Sequence, residues 1–238
     1  MIRLCVLDCD GTLVDSQHVI VAAMADAWGA CGRAVPPDAD AVRRVVGLSL
    51  DVAIGRLAPD GDGDALAALA DGYRQAFRRL HQDPALIEPL FPGVAEALDA
   101  AEAAGFLLGI ATGKGRRGLQ ASLERHGLLD RFVTLQTADD AAGKPAPDML
   151  LRAMAETGAD PACTVMVGDT TFDMIMARAA RVPAVGVSWG YHGADELSAA
   201  GAAVVIDSFD ALAAALAGPV AAGRSDDAEH GGDRCAES

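Results

Sequence analysis

The segment LCVLDCDGTLVDS, residues 4–16, is apolar from Leu4 to Leu7 and then sets two aspartates, Asp8 and Asp10, one residue apart. Like charges that close repel, and the arrangement costs stability unless something positive lies between them. Residues of related chemistry follow other apolar runs: Thr112 after FLLGIA, Lys144 beyond RFVTLQT, and Asp169 and Asp173 after CTVMV. Taken singly, an aspartate or threonine in such a place reads as the cap of the next helix. The lysines add a second signal, because only two of the nineteen basic residues are lysine, Lys114 and Lys144, and both fall in these loops. A compact ammonium with movable donors suits a phosphate oxygen better than a planar guanidinium does. The chemistry in view is therefore that of an anionic phosphate group.

These residues need elements that bring them together. From residue 91 onward, helical spacing alternates with apolar runs: VAEALDAAEAAG stops at Gly105 before FLLGIAT, RRGLQASLERHG stops at Gly127 before RFVTLQT, and DMLLRAMAETG stops at Gly158 before CTVMVGD. Apolar strands separated by helices predict an α/β fold, a Rossmann-like parallel sheet flanked by helices on both faces. In an open sheet of this kind the carboxyl ends of the strands form the ligand crevice, so residues far apart in sequence converge there.

Residues 16–90 break the alternation. Leu66, Leu69, Tyr73, Phe77 and Leu80 form one apolar helical stripe, Ile20, Met24 and Trp28 form another, and VPPD and APDGDGD separate the helices. This predicts a helical cap at 16–90, inserted after the first strand of a core made of residues 1–15 and 91–215, with residues 219–238 a disordered polar tail.

Bulk properties narrow the function classes. A formal charge of −15 argues against nucleic acid or an anionic membrane surface as partner. With no stretch that reads as a membrane span or a leader, the expected location is the cytoplasm. The five cysteines have no paired metal-ligand spacing and read as free, mostly buried thiols. Nothing in the chain speaks to oligomeric state.

DCDGTLVDS, ATGK, GKPAPD and GDTTFD resemble, in this order, the four motifs of the haloacid dehalogenase (HAD) superfamily, in the branch with a helical cap after the first strand. VRRVVGLSL and VSWGYHGADEL are most similar to phosphoglycolate phosphatase-like members. The resemblance implies phosphoryl transfer from a small phosphorylated metabolite. Asp8 is then the nucleophile, and Asp10, offset by two positions along the strand end, the general acid and base. Thr112 and Gly113 would bind phosphate oxygens, and Lys144 would bind the substrate and neutralise charge developing in transfer. A hard dication, Mg²⁺, would be held by Asp8, Asp169, the backbone carbonyl of Asp10, and Asp173 through water, unless Asp173 instead orients Lys144.

The same residues weigh against neighbouring activities. Dehalogenation does not need Asp10, and imine-forming phosphonate cleavage needs a cap lysine that residues 16–90 lack. A β-phosphoglucomutase-like activity remains as the alternative, and a noncatalytic binding protein on the same fold as a third reading. His18, Arg43 and Arg44 are weighed as substrate contacts against a plain solvated face. GKGRRG lacks the Walker spacing.

Overall fold

The computed structural model describes residues 1–83, 86 and 88–218. The expected tail lies outside the described residues. Six strands, β1 (Arg3–Leu7), β2 (Phe106–Thr112), β3 (Phe132–Thr137), β4 (Thr164–Gly168), β5 (Ala184–Val187) and β6 (Val204–Ile206), form one parallel sheet in the order β3-β2-β1-β4-β5-β6.

Between β1 and β2 come α1 (Gln17–Ala30), α2 (Ala39–Arg43), α3 (Leu50–Leu57), α4 (Gly63–His81) and α5 (Val94–Ala103). The later crossovers are α6 (Arg116–Arg125), α7 (Asp148–Thr157), α8 (Thr171–Ala179) and α9 (Ala194–Ala200), and α10 (Leu212–Ala217) follows β6. The glycines at 105, 127 and 158 all take positive φ. That left-handed residue ends a helix and turns the chain toward the next strand.

Strand periodicity divides the core into two layers. In β1, Cys5 and Leu7 join Leu98, Leu119, Leu123 and Leu212 on one face, whereas Leu4 and Val6 join Met149, Leu150, Met174 and Leu197 on the other. All four β1 side chains are fully buried. A strand covered on both faces must be apolar at every position, which is why residues 4–7 show no polar alternation.

Helices α1, α3 and α4 enclose a cluster of their own around Ile20, Met24, Trp28, Ile54 and Leu69. Gly72 of α4 faces Ala27 of α1, where an added Cβ would sit at ordinary contact distance. The chain leaves the sheet layer and returns to it side by side. Asp15 N–H donates to the Pro89 carbonyl at 2.8 Å, and Phe91 N–H to that of Leu13 at 2.9 Å. Leu69 is the one fully buried member of the α4 stripe; Leu66, Tyr73, Phe77 and Leu80 are partly exposed.

Leu98 is fully buried where α5 lies on the sheet. Leu98→Ala is expected to lower unfolding free energy by about 2–5 kcal/mol, read in urea as a reduced midpoint with an unchanged slope.

Candidate active site

The strand order reverses at β1, whose neighbours are β2 on one side and β4 on the other. Asp8 follows β1 directly, and its N–H donates to the Val167 carbonyl of β4 at 2.9 Å. The carboxylate thus stands at the switch point, where helices diverge to opposite faces and leave a crevice open.

Three loops converge on it. Lys144 Nζ lies 2.7 Å from Asp8 Oδ2 and 2.6 Å from Asp173 Oδ1, with all three side chains almost wholly removed from solvent. These are ion pairs by distance; their alignment is not that of directed hydrogen bonds. Asp8 Oδ1 accepts the Cys9 N–H at 2.7 Å. Asp173 Oδ2 accepts the Thr170 N–H at 3.0 Å and its hydroxyl at 2.6 Å, closing the capping box that starts α8. Both oxygens of Asp173 therefore face protein donors.

Asp169 is fixed from two directions, by the Thr12 hydroxyl on Oδ1 at 2.7 Å and the Tyr191 N–H on Oδ2 at 2.9 Å. Gly11, at φ +84°, makes that approach possible: a Cβ there would come within 2.4 Å of Asp169 Oδ2. One carboxylate oxygen from each of Asp8, Asp169 and Asp173 lies within 4.8 Å of the others.

Asp10 belongs to a separate pair. Its Oδ1 accepts the Ser16 hydroxyl at 2.6 Å and faces Lys114 Nζ at 2.7 Å. Each of the two lysines thus serves its own carboxylates, Lys144 at the strand tips and Lys114 toward α4. Thr112, buried at the end of β2, accepts the Lys114 N–H at 3.2 Å. At Gly113 a Cβ would meet the carbonyl oxygens of Leu48 and Gly47 at 2.4 and 2.6 Å, so the 47–48 loop lies directly on this turn. Beneath that contact is a cavity of about 520 Å³ lined by Asp8, Asp10, Thr112, Gly113 and Lys114 from below and by α1 and α4 from above.

Burial is the dominant influence on these charges. It pushes the Asp8 carboxyl up to about 7, with the Lys144 ammonium opposing the shift and Asp173 reinforcing it. Asp169 is raised well above the usual carboxylate range, again first by burial and then by Asp8 and Asp173. Burial works against a charged Lys144, but the carboxylates of Asp173 and Asp8 outweigh it and hold its pKa above the ordinary value. Burial thus favours protonated carboxyls here, and only with all three ionised, as a bound cation would make them, would the single ammonium leave an excess of two negative charges.

Seven residues singled out for chemistry meet at one crevice: Asp8, Asp169, Asp173 and Lys144 in one knot, Asp10 beside it, and Thr112 and Gly113 on the facing turn. Thr12 reaches across from the β1 turn to β4's loop. Ser16, Tyr73 and the Lys114–Asp10 pair were not anticipated; the only signal for the last was lysine's rarity. His18 is exposed on α1, while Arg43 bonds Gln17 and Asp40 and Arg44 pairs with Glu196, so none of the three lines the cavity. Cys5 and Cys9 are free and buried, Cys163 is buried, Cys31 is free but exposed, and Cys235 lies outside the described residues. No helix among the described residues is long and apolar enough to cross a membrane.

Residues 5–187 match the model of the haloacid dehalogenase-like hydrolases, and the chain belongs to that family. It is an enzyme of the phosphoglycolate phosphatase-like kind. "Probable phosphatase IndB" of Dickeya dadantii is 40% identical over 216 residues, covering 89% of this chain and 92% of the relative. "Phosphoglycolate phosphatase" of Agrobacterium fabrum is 32% identical over 222 residues, covering 90% and 91%. Among solved structures, a hydrolase from Pseudomonas syringae superposes with a TM-score of 0.80 at 28% identity, over 90% of this chain and 98% of its own.

The raised carboxyls fix a direction for stability. Asp8 has a folded-state value of about 7 against an ordinary 3.8, so between these limits the folded chain holds more protons than the unfolded one. Stability is then greatest below the lower value and falls as pH rises through the higher one. The metal-free protein should show by calorimetry a melting temperature that falls between about pH 4.5 and 7 and levels off above, with a shallower fall in Asp8→Asn.

Proposed function

We propose that the protein is a Mg²⁺-dependent cytoplasmic phosphatase that hydrolyses a small phosphate monoester through an aspartyl-phosphate on Asp8. The observation that carries this reading is the buried trio of Asp8, Asp169 and Asp173 with a single ammonium among them. Its excess charge and all-oxygen donor set fit one hard dication. Asp8, Asp169 and the Asp10 backbone carbonyl would hold Mg²⁺, which when bound offsets the repulsion between carboxylate and phosphate dianion. Both oxygens of Asp173 are engaged by Lys144 and Thr170, which favours orienting Lys144 as its role, with reach to the metal through water.

In this reading residues 1–15 and 91–215 are the catalytic core and 16–90 the cap. Thr112 and the Gly113 N–H receive the non-bridging oxygens, and Lys144 offsets charge gathering on them. Asp8 attacks phosphorus, the phosphorus–oxygen bond of the ester breaks, and Asp10 gives the departing alkoxide a proton. Asp10 then takes a proton from water, whose oxygen attacks the aspartyl-phosphate and frees phosphate and Asp8. Ser16 and Lys114 hold the Asp10 carboxyl beside the attack line. The phosphoglycolate phosphatase relatives make 2-phosphoglycolate the first candidate to assay.

Purified protein should release phosphate from phosphorylated metabolites with Mg²⁺ and cease on chelation. Asp8→Asn is expected to lower turnover about a thousandfold or more, and Asp10→Asn about 10²–10⁴-fold. Release unchanged by Asp8→Asn would overturn the proposal. A hexose 1-phosphate converted to its isomer without free phosphate would favour the mutase alternative.

A further inference from the structure

The cavity above Asp8 is larger than a two-carbon acid fills, and one of its walls is built of rings. Its roughly 520 Å³ falls within the range of pockets that enclose ligands of about 300–1,000 Å³ scale. Along α4, Tyr73, Phe77 and His81 recur every fourth residue, so they share one face of the helix. Their rings follow one another at centroid separations of 5.8 and 5.9 Å, the second pair stacked with 19° between planes. All three line the cavity, and Ile20 and Met24 of α1 extend the apolar wall.

This wall begins next to the reacting end. Lys114 Nζ, paired with Asp10, sits 5.1 Å from the centroid of the Phe77 ring. Tyr73 and Phe77 also remain partly exposed although they border the buried cluster of the helical insertion. A row of rings left uncovered beside a phosphate subsite matches a flat apolar body attached to the phosphate through a short arm. Arg74, Arg78 and Gln82 of α4 also border the cavity, Arg74 paired with Asp51 and Asp71, so what sets this wall apart is its run of rings rather than a lack of donors.

We infer that the preferred substrate is a phosphate monoester of a ring-bearing alcohol, whose ring packs on the Tyr73–Phe77–His81 face of α4. The inference rests on the phosphatase reading above and refines its substrate. Contact between rings contributes beyond area alone, and loss of one such contact in a pocket changes discrimination about tenfold or more.

The test compares benzyl phosphate with 2-phosphoglycolate in two arms. In turnover, kcat/KM for benzyl phosphate should exceed that for 2-phosphoglycolate at least tenfold, and Phe77→Leu, with its melting temperature recorded, should reduce that ratio severalfold. In binding, calorimetry on Asp8→Asn should give the same order of affinities for the two esters. Equal or better use of 2-phosphoglycolate, or a ratio indifferent to Phe77→Leu, overturns the inference while leaving the phosphatase standing. Tighter binding of benzyl phosphate without turnover of either ester by the wild-type protein supports the ring subsite and overturns the phosphatase reading.

Discussion

Negative charge held out of water beside more negative charge is the constraint around which this chain is arranged. Asp8, Asp169 and Asp173 approach one another at the tips of β1 and β4 where solvent does not reach, and Lys144 alone stands among them. Removing ionised carboxylates from water is costly unless each finds a partner. Their supports follow from that need. Thr12, Tyr191, Thr170 and Cys9 each direct a donor at a carboxylate oxygen. Glycine at position 11 leaves the room in which Asp169 fits. With every carboxylate ionised the imbalance would be the size of one dication, which links the electrostatics of the site directly to the chemistry proposed for it.

A second level of organisation separates the carboxylates from the cavity that faces them. The sheet fixes the carboxylates, while helices inserted after β1 form the roof of the cavity and contribute its rings. The contact between the 47–48 loop and Gly113 joins the two, because only a residue without a side chain accepts those carbonyls at that distance. Lys114 works on the same boundary, tying Asp10 to the vicinity of Phe77. The carboxylate site and the ring-lined wall thus meet within a few residues of β2's end.

Much of this was legible in the amino-acid order. The apolar runs and their glycine stops marked the strands because a buried parallel strand tolerates no polar alternation and a helix ending in αL glycine leaves a recognisable signature. Residues 16–90 stood out by lacking such runs, and the α1–α4 stripes gave the helices. The four loop positions were legible because parallel topology places every strand's end on one side. What escaped reading depends on lateral order and helix phase. Thr12 meets Asp169 across 157 positions only because β1 and β4 are neighbours. His18 turns outward while the adjacent Val19 and Ile20 are buried, a difference of one residue in helical phase. Lys114 finds Asp10 through the side-chain path between turn and cap, which spacing does not encode.

The central claim is that Asp8 and Asp169 would hold a metal while Asp173 keeps Lys144 in place. Crystals soaked in Mn²⁺ and measured at its absorption edge test this most directly. The account predicts one anomalous peak per chain, at about 2.0–2.2 Å from carboxylate oxygens of Asp8 and Asp169, with Lys144 still beside Asp173. A peak lodged elsewhere, or none at this position in the presence of a bound phosphate analogue, would contradict it.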